Sequence, residues 1–340
     1  MHDPNKPHHT PQGFRNNHPS SPHGSFWTWQ RERWAKGLPR APAGGYHFEQ
    51  LKPDLHWLRA NRDALALTWI GHATFLLQLD GLNILTDAHL TERASPFGFT
   101  GPARVVPPAI ALHELPHVHA VVISHNHYDH LDLGSVKHLS RQAGGSPTFF
   151  VPLGLRAWFA GHGMHRVVEL DWWDRAEHAG LAFHLVPVQH WSARTPLDRD
   201  RTLWGGWMIE HPRLRFFFAG DTGYSRDFEE IAARFPRIDL AALPIGAYEP
   251  RWFMQVMHVN PEEAVRIHQD LRARYSVAMH WGTFILTDEP LDEPPHRLAS
   301  ARRAAGIASE HFFLMQHGET RLLAPLVAAE QLAGAQPATA

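Results

Sequence analysis

Short apolar runs separated by tight turns mark the chain from residue 65 onward. The runs at 65–70 and 74–79 have the length and the branched and aromatic content of buried strands. Asp80 and Gly81 follow the second run, and an Asp-Gly pair favours a hairpin turn because both residues tolerate positive φ. The next run, 82–86, is therefore predicted to return as the partner strand.

Further runs of strand character alternate with segments of helical character. The predicted strands are 120–123, 148–151, 167–170, 181–188, 214–219 and 275–279. The predicted helices are 133–142, 153–160 and one that begins at Pro261. This last helix has a clear start, because Asn260 is a good N-cap and proline suits the first helical position. The alternation of strands and helices predicts an α/β fold.

Candidate metal ligands are most concentrated in the segment 124–132, Ser-His-Asn-His-Tyr-Asp-His-Leu-Asp, which directly follows a predicted strand. Imidazole nitrogens and carboxylate oxygens are ligands that suit zinc and similar divalent ions. Because the segment begins where a strand ends, His125 and His127 can turn towards one side. Asp129 and His130 are adjacent and can reach a second ion beside the first. The spacing predicts a metal site.

Three later strands deliver single residues of the same ligand types, namely His190, Asp221 and His280. Polar residues at the carboxyl ends of strands are how α/β folds assemble sites. The seven candidates divide into His125, His127 and His190 for one ion, Asp129, His130 and His280 for another, and Asp221 as a bridge. Seven ligands for two ions leave positions open for water, which is typical of a catalytic site. His72 and Asp87, in nearby turns, are expected to support these ligands.

Composition narrows the function classes. The 340 residues include 28 histidines and no cysteine, so any metal site uses nitrogen and oxygen ligands and disulfides are excluded. The absence of cysteine fits a reducing compartment, and we expect a cytoplasmic protein, with attachment to a membrane surface left open. A formal net charge of −2 provides no basic field for a nucleic-acid partner. Two divalent ions, less two aspartates and a hydroxide, leave about one positive charge, which suits a monoanionic phosphodiester.

The amino-terminal region differs from the rest. Residues 1–25 are rich in proline, histidine, asparagine and serine and predict a disordered polar tail, although histidines at positions 2, 8, 9, 18 and 23 could also bind metal as a tract. Aromatic residues alternate with arginines over 26–34, which suits either an arm packed on the main domain or a membrane interface. The sequence contains no run of 18 apolar residues, so no transmembrane helix is predicted.

The cluster at 124–130, followed by His190, Asp221 and His280, resembles the metallo-β-lactamase superfamily. Longer stretches resemble the N-acylphosphatidylethanolamine-hydrolysing phospholipase D family, and they are 69–74, 151–154, 169–173, 216–224, 243–254 and 280–284. The resemblance covers about residues 45 to 320. It implies an αββα sandwich of two mixed sheets flanked by helices, with two Zn²⁺ ions per chain. It also implies hydrolysis of a lipid phosphodiester to phosphatidic acid and an N-acylethanolamine.

The resemblance assigns the seven metal ligands to the positions already named, and His258 matches a functional histidine of the family. Asp129 and His258 are therefore the candidate catalytic residues, Asp129 to orient the nucleophile and His258 to stabilise charge on the phosphate. Animal members carry Gln-Tyr where this chain has Gly98 and Phe99, so the residues that bind the head group are left unassigned. Arg251 and the apolar residues 252–254 could together form a lipid-facing surface, unless those side chains belong to the core.

Two alternatives remain open. One is a lactonase or another phosphodiesterase on the same metal site, and the other is a metal-binding protein without activity, against which the complete ligand set argues. The expected partners are a phospholipid substrate and a peripheral membrane surface, with a homodimer left open. The predicted organisation is a polar tail and aromatic arm at 1–44, a hydrolase domain at 45–325 and a flexible tail at 326–340.

Overall fold

Two seven-stranded sheets pack face to face in the computed structural model, which describes residues 2–19 and 24–323. The strands are β1 His9–Thr10, β2 Gly13–Phe14, β3 Ala66–Gly71, β4 Thr74–Leu79, β5 Leu82–Thr86, β6 Ala120–Val122, β7 Thr148–Pro152, β8 Val167–Leu170, β9 Arg175–His178, β10 Leu181–Val186, β11 Gly206–His211, β12 Leu214–Phe218, β13 Leu240–Pro244, β14 Tyr275–Met279, β15 Phe312–Phe313 and β16 Thr320–Leu322. The helices are α1 Phe26–Lys36, α2 Leu55–Ala60, α3 Leu133–Ser140, α4 Leu155–Gly161, α5 Asp227–Arg234, α6 Arg251–Met254, α7 Pro261–Asp270 and α8 Glu293–Ala304, with a 3₁₀ turn at Leu112–Glu114.

The two sheets share one plan. The first sheet has the order β16-β3-β4-β5-β6-β7-β8 and the second β15-β14-β13-β12-β11-β10-β9. From β16 in the first sheet, and from β9 in the second, three antiparallel pairings are followed by three parallel pairings. Thus β5 and β12 hold equivalent places, as do β6 and β13. This architecture is the αββα sandwich that the sequence predicts.

The alternation of side chains along each strand separates two apolar cores. In β7, Phe150 faces the other sheet and stacks on Phe183 of β10 at 4.1 Å between ring centroids. Its neighbours Phe149 and Val151 face the opposite way, into a second core beneath α3 and α4. Because successive side chains of a strand point to opposite faces, a strand buried on both sides must be apolar throughout. Burial on both faces explains why the central strands were recognisable in the sequence.

Predicted and observed elements agree closely where apolar runs are long. The runs at 74–79, 82–86, 167–170 and 275–279 are strands with the predicted bounds, and the run at 181–188 ends earlier, at Val186. Helix α7 begins as predicted, and Asn260 and Glu263 form a reciprocal capping box. The edge strand β9 was missed because its four residues, Arg-Ala-Glu-His, are mostly polar.

The expectation of a disordered amino-terminal tail does not hold for residues 2–19. His8 and His9 are buried against Asp171, and Phe14 is buried in the main core. A polar segment becomes ordered when its side chains find buried partners, and those partners lie more than 150 residues away in the sequence. Met1 and residues 20–23, including His23, lie outside the described residues, as does the predicted flexible tail at 326–340. The domain boundaries stay a prediction.

The aromatic arm is helix α1, and it packs on the main domain, which is one of the two predicted alternatives. Trp29 is buried, stacks on Phe253 at 5.4 Å and donates a hydrogen bond to Asp288 Oδ2 at 2.7 Å. In contrast, Trp27 and Trp34 are 79% and 89% exposed. One face of α1 is therefore fixed to the domain while another presents indole rings to solvent. Among the described residues, no helix is long and apolar enough to cross a bilayer.

Candidate metal centre

The loop after β6 is held in shape by its own backbone and by one arginine. The carbonyl oxygen of His127 accepts hydrogen bonds from the backbone N–H groups of His130 and Leu131, which turns the chain back on itself. Arg194 donates from Nη1 to the carbonyl oxygens of Asn126 and Leu131 at 2.7 and 2.8 Å. Its guanidinium also lies 3.9 Å from the centre of the Tyr128 ring. Arg194 thus fixes the loop that carries four candidate ligands.

Three imidazoles form the first candidate ion site. His127 Nδ1 lies 2.7 Å from His125 Nε2 and 3.3 Å from His190 Nε2. Tetrahedral zinc with Zn–N distances near 2.0–2.1 Å would separate its nitrogens by about 3.3 Å, so the second separation matches that of ligands around one ion and the first is shorter. The structure therefore brings together the first predicted set.

Carboxylates and imidazoles form the second candidate site. Asp129 Oδ2 lies 3.3 Å from His130 Nε2 and 3.3 Å from His280 Nε2, as the sequence predicts. His72 joins them, with its Nε2 3.0 Å from the same oxygen, so it contacts the second set directly. One ligand atom from each of these four residues lies within 4.8 Å of the others.

Asp221 lies between the two sites. Its Oδ2 is 3.0 Å from His130 Nε2 on one side and 4.0 and 3.9 Å from the Nε2 atoms of His125 and His190 on the other. Its Oδ1 is 3.1 Å from His280 Nε2. All seven predicted ligands are thus brought to one place, and Asp221 has the position of the predicted bridge.

The donor set fits a pair of divalent ions. His127 and His190 offer neutral nitrogens, because burial lowers the pKa of each imidazole to about 3. Burial also lowers the pKa of His280, but Asp221 and Asp129 outweigh it and raise that pKa to about 9. Among the described residues, Asp221 Oδ1 and His130 Nε2 are buried and make no well-aligned hydrogen bond, although His280 Nε2 and Asp221 Oδ2 lie 3.1 and 3.0 Å from them, respectively. A cation between these atoms would satisfy both.

Polar groups behind the ligands fix their orientation. Asp87 Oδ2 lies 2.6 Å from His130 Nδ1 and accepts a 2.6 Å hydrogen bond from Ser124 Oγ. Ser124 Oγ in turn lies 2.9 Å from His125 Nδ1. The Nδ1 atom of His190 lies 2.8 Å from the carbonyl oxygen of Met257. Such contacts set which ring nitrogen faces the ion, so Asp87 has the supporting role expected from the sequence.

His258 reaches the same centre from the segment before α7. Its Nδ1 lies 3.8 Å from Asp221 Oδ2, and its ring centroid is 5.1 Å from that of His190. Burial lowers the pKa of His258 to about 3. The structure therefore places this candidate catalytic histidine beside the ligands. Arg251 does not form the predicted lipid-facing cation, because it is paired with Glu263 at 2.7 Å, and Phe253 and Met254 are buried.

The backbone is strained at three residues of the centre. His72, Asp87 and His280 have φ values of 55°, 32° and 60°, in the left-handed region that residues with a Cβ rarely adopt. Packing holds them there. A Cβ on Gly246 would lie 2.2 Å from the carbonyl oxygen of His280, so glycine is required for this approach. The centre is thus built at a cost in backbone energy that the surrounding structure sustains.

Several supporting residues were missed from the sequence. Ser124 and Arg194 carry no spacing signal, because their partners are backbone atoms or residues distant in the sequence. Ser124 is adjacent to the cluster, so its position after the strand was the available hint. Asn16, which contacts the backbone of His190, lies in a segment expected to be disordered.

Comparison with known proteins adds to this geometry. A sequence profile described as a beta-lactamase superfamily domain matches residues 82–281. The chain is 41% identical over 249 residues to N-acyl-phosphatidylethanolamine-hydrolyzing phospholipase D 1 of Caenorhabditis elegans, and the match spans 70% of each chain. It is 37% identical over 240 residues to N-acyl-phosphatidylethanolamine-hydrolyzing phospholipase D, mitochondrial, of Saccharomyces cerevisiae, spanning 68% of this chain and 50% of the yeast protein.

Solved structures show the same fold. The structure of Igni18, a metallo hydrolase from the archaeon Ignicoccus hospitalis, aligns with 76% of this chain and 98% of its own, with a TM-score of 0.56 and 22% identity. The two sheets and the convergent ligands together define a metal-dependent hydrolase of the beta-lactamase superfamily. Within that superfamily, the chain belongs to the family of phospholipases D that hydrolyse N-acylphosphatidylethanolamine.

Proposed function

We propose that this hydrolase holds two Zn²⁺ ions and cleaves the phosphodiester of N-acylphosphatidylethanolamine to phosphatidic acid and an N-acylethanolamine. The observation that carries the proposal is the 41% identity, over 249 residues, to a nematode enzyme named for that reaction. All seven candidate ligands lie within residues 82–281, which match the superfamily profile. The mixed set of imidazoles and two carboxylates, without thiolates, supports a catalytic rather than a structural metal site.

In this proposal His125, His127 and His190 hold one ion, Asp129, His130 and His280 hold the other, and Asp221 contacts both. When bound, two such ions would make water nucleophilic at neutral pH and stabilise charge on a phosphoryl group. Asp129, whose carboxylate contacts His72, orients the attacking water and receives its proton. As the new P–O bond forms, the bond from phosphorus to the ethanolamine oxygen breaks, and Asp129 returns the proton to that oxygen. His258 donates a hydrogen bond to a non-bridging phosphate oxygen.

The site also fits the charge and the physical state of the substrate. Two ions less two carboxylates and a hydroxide leave about one positive charge, which a phosphodiester anion neutralises.

The exposed rings of Trp27 and Trp34 on α1, and of Phe99, supply apolar surface. Helix α1 and the loop that carries Phe99 contact the same segment beside the centre. Arg33 of α1 donates to the Leu286 carbonyl, and Arg104 of the loop forms a β-bridge with Phe284. Phe284 packs against His72, with ring centroids 5.1 Å apart. We infer that the exposed rings of Trp27, Trp34 and Phe99 meet the lipid surface.

A lipid panel with the zinc-loaded protein tests the proposal. We expect release of N-acylethanolamine from mixed micelles, no hydrolysis of a β-lactam and little cleavage of RNA. Because attack occurs at phosphorus, oxygen from labelled water should appear in phosphatidic acid. Label in the alcohol product, or a lactone that is turned over far faster than the phospholipids, would contradict the proposed reaction.

A further inference from the structure

The amino-terminal segment 3–16, which we name the clamp, runs from one buried carboxylate to the loop that carries His190. Its short hairpin, β1 and β2, is joined to that loop by a hydrogen bond from Phe14 N to the Asp200 carbonyl at 2.8 Å. A Cβ on Gly13 would lie 2.0 Å from that same carbonyl oxygen, so only glycine permits this contact. The clamp is therefore fitted to the 190–204 loop by backbone contact as well as by side chains.

The far end of the clamp is anchored at Asp171. His8 Nε2 lies 2.7 Å from Oδ1, and His9 Nε2 lies 2.9 Å from Oδ2. Lys6 Nζ contacts Oδ2 at 2.5 Å, and His8 also stacks on Trp172 at 4.5 Å. His8, His9 and Asp171 have the residue types and spacing of a metal site, but the ammonium group of Lys6 already supplies the cation at the carboxylate. Hydrogen bonds therefore account for the cluster.

The near end of the clamp contacts a candidate ligand directly. Asn16 donates from Nδ2 to the carbonyl oxygen of His190 at 2.9 Å and accepts at Oδ1 from the His190 N–H at 3.1 Å. The same Oδ1 accepts from Trp204 Nε1 at 3.1 Å. One amide thus pairs with both backbone groups of His190, while the Met257 carbonyl holds Nδ1 of its ring. Between them these contacts determine where His190 Nε2 points.

We propose that Asn16 is a positioning residue for His190 and that the clamp, anchored at Asp171, sets the affinity of the three-histidine site for its ion. The proposal rests on the assignment of His190 as a ligand in the proposed function, but it does not depend on the lipid substrate. Residues that orient a ligand from behind contribute about tenfold to a hundredfold in metal affinity. Asn16 belongs to this class, although it acts on the backbone of the ligand rather than on its ring.

The test measures metal binding and needs no lipid. Zinc-free full-length protein is titrated with Zn²⁺ against a chromophoric chelator, and with Co²⁺ to follow its ligand-field absorption. For Asn16→Ala we expect one of the two ions to bind about tenfold to a hundredfold more weakly, with the other unchanged. Asn5→Ala is the matched control, because Asn5 is exposed in the same segment. It should bind both ions as the wild type does.

A second variant covers the case in which Asn16→Ala fails to fold. The double change His8→Ala and His9→Ala leaves Asn16 and all seven candidate ligands intact, and we expect the same ion to weaken. Unchanged affinity for both ions in either folded variant, or equal loss of both ions, would overturn the clamp. Two ions bound without lipid hydrolysis would refute the substrate alone, whereas fewer than two ions in the wild type would overturn both proposals.

Discussion

At the scale of single residues, the carboxylate of Asp221 has the widest set of contacts in the centre. It lies within 3.0–4.0 Å of imidazole nitrogens from five histidines, which are His125, His130, His190, His258 and His280. Burial raises the pKa of this carboxyl group, but the charges of His130 and His280 outweigh burial and hold the pKa well below its usual range. Asp221 is therefore an anion across the ordinary pH range, as a bridge between two cations requires.

Asp221→Asn should remove the shared negative charge while keeping the side-chain volume. We expect turnover to fall by at least about a hundredfold, because both ions lose a ligand and a compensating charge. Asp270→Asn, on helix α7, is the control and should retain activity. Turnover with zinc-loaded protein, elemental analysis and circular dichroism would be measured together. Near-normal turnover in Asp221→Asn would show that the ligand assignment is wrong.

His258 offers a test that separates catalysis from metal binding. Since its nearest carboxylate contact is 3.8 Å and seven other ligands are present, we expect His258→Ala to keep both ions. Its kcat should fall about a hundredfold to a thousandfold if it stabilises the phosphate charge. His258→Gln retains an N–H donor and should recover part of the loss. Loss of an ion in His258→Ala would instead make His258 a ligand.

At the scale of elements, the candidate metal ligands all lie just after the ends of strands. The sequence predicted the metal set because each ligand follows an apolar run whose end is visible, as His280 follows β14. The clamp and helix α1 could not be located in the same way. Their contacts, such as His8 with Asp171 and Trp29 with Phe253, join residues far apart in the sequence and leave no periodic pattern. The reason that His8 and His9 occur together is visible only in the folded chain, where both contact the buried carboxylate of Asp171.

Helix α1 should act as a membrane anchor through its exposed indoles. Replacement of Trp27 and Trp34 by alanine removes two rings that contact solvent and leaves the buried Trp29 in place. We expect binding to phospholipid vesicles to weaken about tenfold or more, with little change in thermal stability, because interfacial burial of aromatic rings drives such binding. Vesicle co-sedimentation measures it. Leu322→Ala, at another exposed apolar site, is the control, and an equal loss there would refute the anchor.

The anchor of the clamp gives a prediction for pH. Burial raises the pKa of Asp171, but hydrogen bonds from His8 and Lys6 outweigh it and hold the pKa well below its usual range. A carboxyl group with a lowered folded pKa stabilises the fold fully above its unfolded pKa of about 3.9, and this contribution is lost as pH falls below that value. Asp171→Asn should therefore cost roughly 1–3 kcal/mol at pH 7 and progressively less below pH ~4.

Urea unfolding of Asp171→Asn and of the wild type at several pH values measures this difference. Asp63→Asn, in an exposed turn, serves as control and should match the wild type throughout. A difference between Asp171→Asn and wild type that stays constant from pH 7 to pH 3 would show that the carboxylate charge does not secure the clamp.

At the scale of the whole molecule, the centre joins the two sheets. The first sheet supplies the ligands after β6, and the second supplies those after β10, β12 and β14. The two sheets have the same strand order, so equivalent strands deliver residues to the centre from both sides. Asp87 follows β5 and Asp221 follows β12, and these two strands hold equivalent places. The sequence predicted the sandwich through family resemblance, since apolar runs alone do not state which strands pair. The face-to-face packing depends on contacts such as Phe150 with Phe183.

Removal of the ions should therefore loosen the whole sandwich. Chelation is expected to lower the unfolding temperature by on the order of 5 °C or more, because ligands that bind only the folded chain stabilise it by mass action. Added Zn²⁺ should restore the original value, whereas Mg²⁺, which prefers oxygen ligands, should not. Differential scanning calorimetry measures both. An unfolding temperature that does not respond to chelation would refute a cross-linking role for the ions.

Strand β16 gives this architecture a consequence during translation. Its residues Thr320–Leu322 pair with residues 66–68 of β3, so this side of β3 is covered by one of the last described elements. The roughly 250 residues between them take on the order of 10–50 s to synthesise at typical ribosomal rates. Throughout that time β3 presents an uncovered apolar edge, which invites pairing with other nascent chains. Newly made protein should thus depend on chaperones until β16 leaves the ribosome.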